Sequence, residues 1–353
     1  MTGRRLTRVA DLVSAGLIEP ERELALTRVA ERFSVAITPP MADLLDSSDP
    51  NDPIARQFLP TEVELAFTSE EQGDPIGDYR CSAVKGIVHR YPDRVLLKPT
   101  HLCPVYCRFC FRREQVGPEG QTLTDAELEE AVAYIRSHPE IWETILSGGD
   151  PLVLSSRRVG RIVQALDKID HLGVIRIHSR VPIVDPGRIT PGFVKALSTG
   201  KALFVVLHAN HPKEFSEGAR EAIGRLVKAG IPLLSQTVLL RGVNDDAEIL
   251  TALFRQLVEM RVKPYYLHHG DLARGTAHFR TGIEEGQGLM RALRGTVSGL
   301  CQPAYVLDLP GGHGKVPIGP NYLTKTDESG RWKVEDPFGV AHDYPPLMPK
   351  KDG

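Results

Sequence analysis

The sequence predicts an α/β fold: a parallel sheet of six β/α units curled as a partial barrel, with a helical extension before it and a loop-rich segment after it. Three observations lead there. Apolar, β-branched runs begin near Val95, Thr144, Val174, Leu203, Pro232 and Pro264, and after the first interval they recur about every 30 residues, the length of one β/α unit. Helical patterns with start and stop signals lie between them. The unusual polar residues collect where the runs end. A flat doubly wound sheet shares this periodicity, so spacing alone does not separate it from a barrel.

Residues 1–90 form the extension. Leu6, Val9, Ala10, Leu12 and Val13 make one apolar helical face that stops at Gly16, and Leu24, Leu26, Val29 and Phe33 suggest a second. Thr38-Pro39-Pro40 and Asp49-Pro50-Asn51-Asp52-Pro53 then break the chain into turns. By pattern this region is a packing layer. Residues 91–300 hold the six units. Thr124 with Glu127 makes a capping box, Asn244 and Asp245 open a helix running to Met260, and Gly230 ends the helix containing Ala222, Leu226 and Val227. Residues 301–353 are rich in loops.

The polar residues follow the strands in order. Cys103, Cys107 and Cys110 come after the first, and Ser147-Gly148-Gly149-Asp150 after the second. Ser179 and Arg180 follow the third, and His208 follows the fourth. Gln236 lies within the fifth, and His268, His269 and Asp271 follow the sixth. Parallel β/α folds place their active sites at this carboxyl end.

Cys103-x3-Cys107-x2-Cys110 puts three thiols within eight residues. Three thiolates hold three irons of a [4Fe-4S] cluster and leave the fourth iron open for another ligand. A structural zinc wants four ligands, and no Cys or His at finger-like spacing follows. With Phe109 before the third thiol, the octapeptide resembles the signature of radical S-adenosylmethionine enzymes. That likeness implies that the methionyl amine and carboxylate chelate the open iron. It also implies that Ser147, Gly148, Gly149 and Asp150 form the glycine-rich segment binding the methionyl amine. The bland reading of Gly148-Gly149 is a tight turn.

Asp308-Leu309-Pro310-Gly311-Gly312-His313-Gly314-Lys315 reads either as a surface loop with a solvated lysine or as a rigid loop presenting an amine to an aldehyde. Physics alone leaves both open. The cysteine motif, His89-Arg90-Tyr91-Pro92-Asp93-Arg94-Val95-Leu96-Leu97, Cys110-Phe111-Arg112-Arg113, Asp271-Leu272-x2-Gly275-x2-His278-Phe279-Arg280 and Pro310-Gly311-Gly312-x-Gly314-Lys315 together resemble the lysine 2,3-aminomutase family from about Ile37 to Tyr322. The resemblance implies an isomerase that interconverts L-lysine and β-lysine, using a [4Fe-4S] cluster, S-adenosylmethionine and pyridoxal 5'-phosphate. Residue by residue, it implies that Lys315 bonds pyridoxal phosphate and Arg90 meets the cofactor phosphate. Arg112 would pair with the substrate carboxylate, and Asp271 and Asp308 would grip its distal amine. His208 and Gln236 would line the S-adenosylmethionine site, and a reductant such as flavodoxin or ferredoxin would supply electrons. A lysine aminomutase serving elongation factor P, an aminomutase for another amino acid, and a pyridoxal-independent enzyme acting on a peptide or cofactor are the alternatives.

Composition sets the boundaries. A formal net charge of -2 gives no reason to expect nucleic acid, and no apolar run approaches the roughly 20 residues that cross a bilayer. Five cysteines, three of them clustered, suit a reducing cytoplasm, with Cys81 and Cys301 as incidental thiols. The family's C-terminal zinc cysteines have no counterpart after Cys301, so structural zinc is not expected and a homo-oligomer stays open.

Overall fold

The computed structural model describes residues 3–325 and 332–344. A hairpin, β1 (Ile87–Tyr91) and β2 (Arg94–Thr100), opens the main sheet. It continues through β3 (Glu143–Gly148), β4 (Val174–Ser179), β5 (Ala202–His208), β6 (Leu233–Val238), β7 (Val262–His268), β8 (Ala304–Leu309) and β9 (Gly314–Pro317). Spatial order equals sequence order across all nine strands, and β2 to β8 run parallel. A doubly wound sheet reverses direction at a switch point. Here no reversal occurs, so the sheet curls into a nearly closed barrel whose two end strands, β1 and β9, are antiparallel to their neighbours.

The six strands read from the sequence are β2 to β7. Parallel strands are covered on both faces, so their side chains form continuous apolar runs that are visible without a structure. β8 adds a seventh parallel strand; it is short and ends in half-buried residues, which weakens its signal. The helices between strands bury one face each. In Ser156–Asp167 that face is Val159, Ile162, Val163 and Leu166, all fully buried, and each contributes about 1.5–3 kcal/mol of burial. The Thr124/Glu127 capping box is present on helix Asp125–Arg136, and Gly230, at φ 76°, follows helix Glu217–Lys228.

Two local expectations need correction. Of the face expected for the second N-terminal helix, Glu23–Arg32, Leu26, Val29 and the following Phe33 are buried, but Leu24 is 71% exposed. The helix expected to open at Asn244 and Asp245 is capped by Asp246, whose carboxylate accepts from the amides of Glu248 and Ile249. Asn244 is buried, donating to the carbonyls of Asn210 and Val238.

The N-terminal extension shares one continuous core with the barrel, from Leu6, Val9 and Leu12 through to Tyr305. A small antiparallel sheet, β10 (Leu323–Lys325), β11 (Trp332–Glu335) and β12 (Ala341–Tyr344), follows. Arg291 ties it to helix Ile283–Leu293 by pairing with Glu335 and donating to the Asn321 carbonyl at 2.8 Å.

Candidate active site at the carboxyl-terminal rim

A cavity of about 730 Å³ runs through the barrel, bordered by nearly all the polar residues singled out by sequence: the three cysteines, the Ser147–Asp150 segment, Arg90, Arg112, Ser179, Arg180, His208, Gln236, His268, Asp271, Asp308 and Lys315. His269, expected at the same rim, lies off the cavity, with Nδ1 2.7 Å from the Tyr305 hydroxyl. Residues as far apart as Arg90 and Lys315 meet there because each lies on a strand of the same curled sheet or in the loop that follows one.

The loop after β2 carries the thiols, and the N-terminal extension fixes it. Arg5 donates to the Cys103 carbonyl at 2.8 Å, the Tyr106 amide to Ala36, and the Arg108 amide to Gln57. Arg108 donates to Glu64 through Nε, shared between the two carboxylate oxygens at 3.0 and 3.1 Å, and through Nη2 at 2.5 Å, and Arg113 binds the same fully buried carboxylate. Burial pushes the Cys110 thiol up to about 11 and raises Cys103 well above its ordinary value, aided by the neighbouring thiols and Asp150. Such thiols ionise when a cationic metal centre takes the proton's place. Burial also raises Cys107, opposed by Arg180, which donates to its Sγ at 2.7 Å. Arg180 is held in turn by Glu214 and Gln57, both at 2.7 Å. Among the described residues, no three His, Cys, Asp or Glu side chains converge on one metal-ion position. A cubane cluster does not require that, because each thiolate takes a different iron. The donor set fits a [4Fe-4S] cluster.

The glycine pair has a packing cause. Gly148 stands at φ 108°, where a Cβ would sit 2.6 Å from the Thr100 carbonyl oxygen, and a Cβ on Gly149 would sit 2.2 Å from that of Leu102. Both glycines let the end of β3 press against the start of the cysteine loop. The Asp150 carboxylate accepts from the Leu152, Arg180 and Val181 amides and from the Ser179 hydroxyl, so its hydrogen bonds bind β3 to β4. His208 Nε2 lies 3.2 Å from Asn210 Oδ1, its ring 5.7 Å from Phe109.

At the other side of the cavity, β8 and β9 pair so that Asp308 faces Lys315. The lysine is on a short hairpin, not on a free surface loop. Gly311, Gly312 and Gly314, at φ 77°, 84° and 94°, make its tight turn. The Lys315 amide donates to the Tyr91 hydroxyl at 2.7 Å, and its Nζ contacts Asp308 and His268 Nδ1, the latter at 3.2 Å. A half-buried amine held inside a cavity fits the attachment point of an aldehyde cofactor. Burial would raise Asp308, but His268 and Lys315 outweigh it and hold the carboxyl well below its usual range. Asp271 is different: burial, then the charge of Asp308, push it up to about 7, and among the described residues its Oδ1 has no partner.

Arg112 is 6% exposed; its Nε donates to Asp78 Oδ2 at 2.7 Å, and Nη1 lies 3.4 Å from the Ser147 hydroxyl. Arg90 donates through Nη2 to the Ile76 carbonyl at 2.7 Å and to Asp78 at 3.3 Å, and among the described residues its Nε has no partner. Sequence reasoning missed Asp78 and Lys98, whose Nζ lies 3.5 Å from Asp78. Lys98 did leave a signal: a lysine within the run Val95 to Thr100, of the type seldom fully buried unless paired. Asp78 left none.

The sequence matches the Radical SAM superfamily over residues 97–253 and the Lysine-2,3-aminomutase family over residues 290–334. It is 41% identical to the L-lysine 2,3-aminomutase of Acetoanaerobium sticklandii, over 90% of this chain and 77% of that protein. It is 40% identical to the L-lysine 2,3-aminomutase of Clostridium subterminale, with the same coverage. The glutamate 2,3-aminomutase of Clostridioides difficile is 35% identical, over 90% of this chain and 75% of that protein.

Proposed function

The chain belongs to the lysine 2,3-aminomutase family of radical S-adenosylmethionine enzymes, and we propose from this that it is an L-lysine 2,3-aminomutase, moving the amino group between C2 and C3 to give β-lysine. The observation that carries the choice of lysine is the pair of carboxylates, Asp271 and Asp308, on the same cavity as the guanidinium of Arg112. When bound, the cluster and S-adenosylmethionine supply a 5'-deoxyadenosyl radical that removes a hydrogen atom from C3, and pyridoxal phosphate supplies the carbonyl through which the nitrogen migrates.

In this reading Cys103, Cys107 and Cys110 hold three irons, with Arg180 orienting the Cys107 sulfur. Ser147, Gly148, Gly149 and Asp150 shape the wall beside the cluster, and His208 and Gln236 line the adenosyl side. Lys315 bonds pyridoxal phosphate and Arg90 receives its phosphate. Arg112 takes the substrate carboxylate, and Asp271 and Asp308 take the distal ammonium. A substrate anchored by opposite charges at both ends lies in one direction, which holds C3 toward the cluster side and limits the paths open to a reactive radical. Glutamate would bring a carboxylate against that of Asp308, and against that of Asp271 wherever the latter is ionised; at about 4 Å each such repulsion is of order 4 kcal/mol for an effective dielectric near 20. That disfavours the activity named for the Clostridioides difficile relative.

Among the described residues no helix is long and apolar enough to cross a membrane. We place the protein in the cytoplasm, where thiols stay reduced and flavodoxin or ferredoxin can deliver the electron. The test is an anaerobic assay of the reconstituted protein with pyridoxal phosphate, S-adenosylmethionine and a strong reductant, comparing kcat/KM for lysine and glutamate by product chromatography. β-Lysine with a large preference for lysine is expected; a ratio near one, or no β-lysine, refutes the assignment.

A further inference from the structure

Asp78 does not border the cavity; it lies behind the wall, with its side chain 1% exposed. Its carboxylate is shared by three cations: Arg112 Nε at 2.7 Å, Arg90 Nη2 at 3.3 Å and Lys98 Nζ at 3.5 Å. Arg112 and Arg90 both border the cavity, whereas Asp78 and Lys98 do not. One anion among three cations leaves an excess of buried positive charge, which costs free energy until anionic ligands arrive. Asp78 comes from the N-terminal extension, and its neighbour Gly77, at φ 69°, lies so close to the lysine hairpin that a Cβ there would sit 2.5 Å from the Gly312 amide nitrogen.

We propose that Asp78 is the positioning residue for the carboxylate end of the substrate: by engaging Arg112 through Nε, it leaves the Nη groups to receive a carboxylate from the cavity. This rests on the reading of Arg112 given above. A guanidinium has five N–H donors in a rigid fork, so fixing one edge fixes where the others point. Among the described residues Arg112 Nη2 has no hydrogen-bond partner, and Nη1 has only the 3.4 Å contact to Ser147. Without the charge of Asp78 the fork could turn, and three like charges would be left facing one another.

The experiment compares L-lysine with L-lysinamide, which keeps both amines and lacks the carboxylate. Each is titrated into the reconstituted holoprotein under anaerobic conditions, and the change in pyridoxal absorbance gives an apparent Kd, without turnover. Wild type is expected to bind lysine more tightly than lysinamide. In Asp78→Asn this ratio is expected to fall about tenfold or more, because a hydrogen bond between charged groups is lost from the aiming of Arg112. A merely structural defect weakens both ligands alike and leaves the ratio unchanged. Asp78→Glu retains the charge but moves it by one methylene, and its ratio is expected to fall about threefold, since misplacement of about 1 Å is felt at such sites. Iron content and melting temperature identify folded variants. A wild-type ratio retained in folded Asp78→Asn overturns the proposal, and if that variant does not fold, a retained ratio in Asp78→Glu does so. A wild type with no preference for lysine removes the premise about Arg112, a result distinct from a preference that Asp78 variants retain.

Discussion

Asp271→Asn separates substrate recognition from the rest of the chemistry, and pH gives its signature. The wild-type carboxyl, raised from 3.8 to about 7 by burial and by Asp308, is about half ionised at neutral pH. Only the ionised form attracts an ammonium strongly. Well above pH 7, wild type should therefore exceed the variant in kcat/KM for lysine by about 10- to 100-fold, the worth of one hydrogen bond between charged groups. Below pH 7 that advantage should shrink by about tenfold per unit as Asp271 takes up its proton. Titration of the substrate's own amines is common to both proteins and cancels in the ratio. Stability should move the other way. Below pH 3.8 the carboxyl is protonated in both folded and unfolded chains; between 3.8 and about 7 the unfolded chain loses its proton first, so wild type loses stability as pH rises. The full shift corresponds to about 4 kcal/mol, reduced to about 1–2 kcal/mol because the group borders a cavity that water reaches. Cofactor-free Asp271→Asn should then unfold at a higher urea concentration than wild type at pH 8 and at the same concentration near pH 4. A rate ratio constant from pH 5.5 to 8.5, or a variant less stable than wild type at pH 8, would refute this account.

Glu64→Gln should be among the most damaging single changes away from the cavity. It leaves the buried guanidinium groups of Arg108 and Arg113 without their anion, at a cost of about 3–5 kcal/mol, read as a lower urea midpoint and as iron lost from the adjoining thiols. Gly77→Ala forces a Cβ against the Gly312 backbone at a left-handed φ of 69°, so it should cost about 1–3 kcal/mol and lower pyridoxal occupancy while iron content holds. Cys→Ala at 103, 107 or 110 should each abolish stable cluster assembly, measured as iron per chain, whereas Cys81→Ala and Cys301→Ala should retain it; equal iron in all five would refute the ligand assignment.

What the sequence made legible followed from range. The strands β2 to β7 and the triad Cys103, Cys107 and Cys110 are local patterns, and periodicity and spacing suffice for them. Asp271 was legible as a rim residue after the sixth strand, but its role, and the site roles of Asp308 and Lys315, came only through likeness to a family, because nothing in Asp308-Leu309-Pro310 announces that a hairpin will set residue 308 opposite residue 315. The N-terminal extension read as packing because its motifs are helical faces and proline turns. Yet it contributes Gln57 to Arg180, Glu64 to the cysteine loop and Asp78 to Arg112. Those pairings join residues 34 to 123 positions apart, and a charged residue in a turn looks the same whether its partner is water or a distant guanidinium.

The contact between Lys315 and Asp308 has a kinetic consequence. In the cofactor-free chain the ammonium of a lysine side chain already sits on one of the two carboxylates assigned to the substrate. A free lysine molecule therefore competes with a tethered copy of its own side chain, whose local concentration is of millimolar order or higher. In the proposed reading, bonding of Lys315 to pyridoxal phosphate would draw that amine away and turn an ammonium with three donors into an imine, which would loosen its hold on Asp308. Occupation would then be ordered, with the cofactor first and the amino acid second, and lysine added before pyridoxal phosphate should not slow cofactor uptake until it is in large excess.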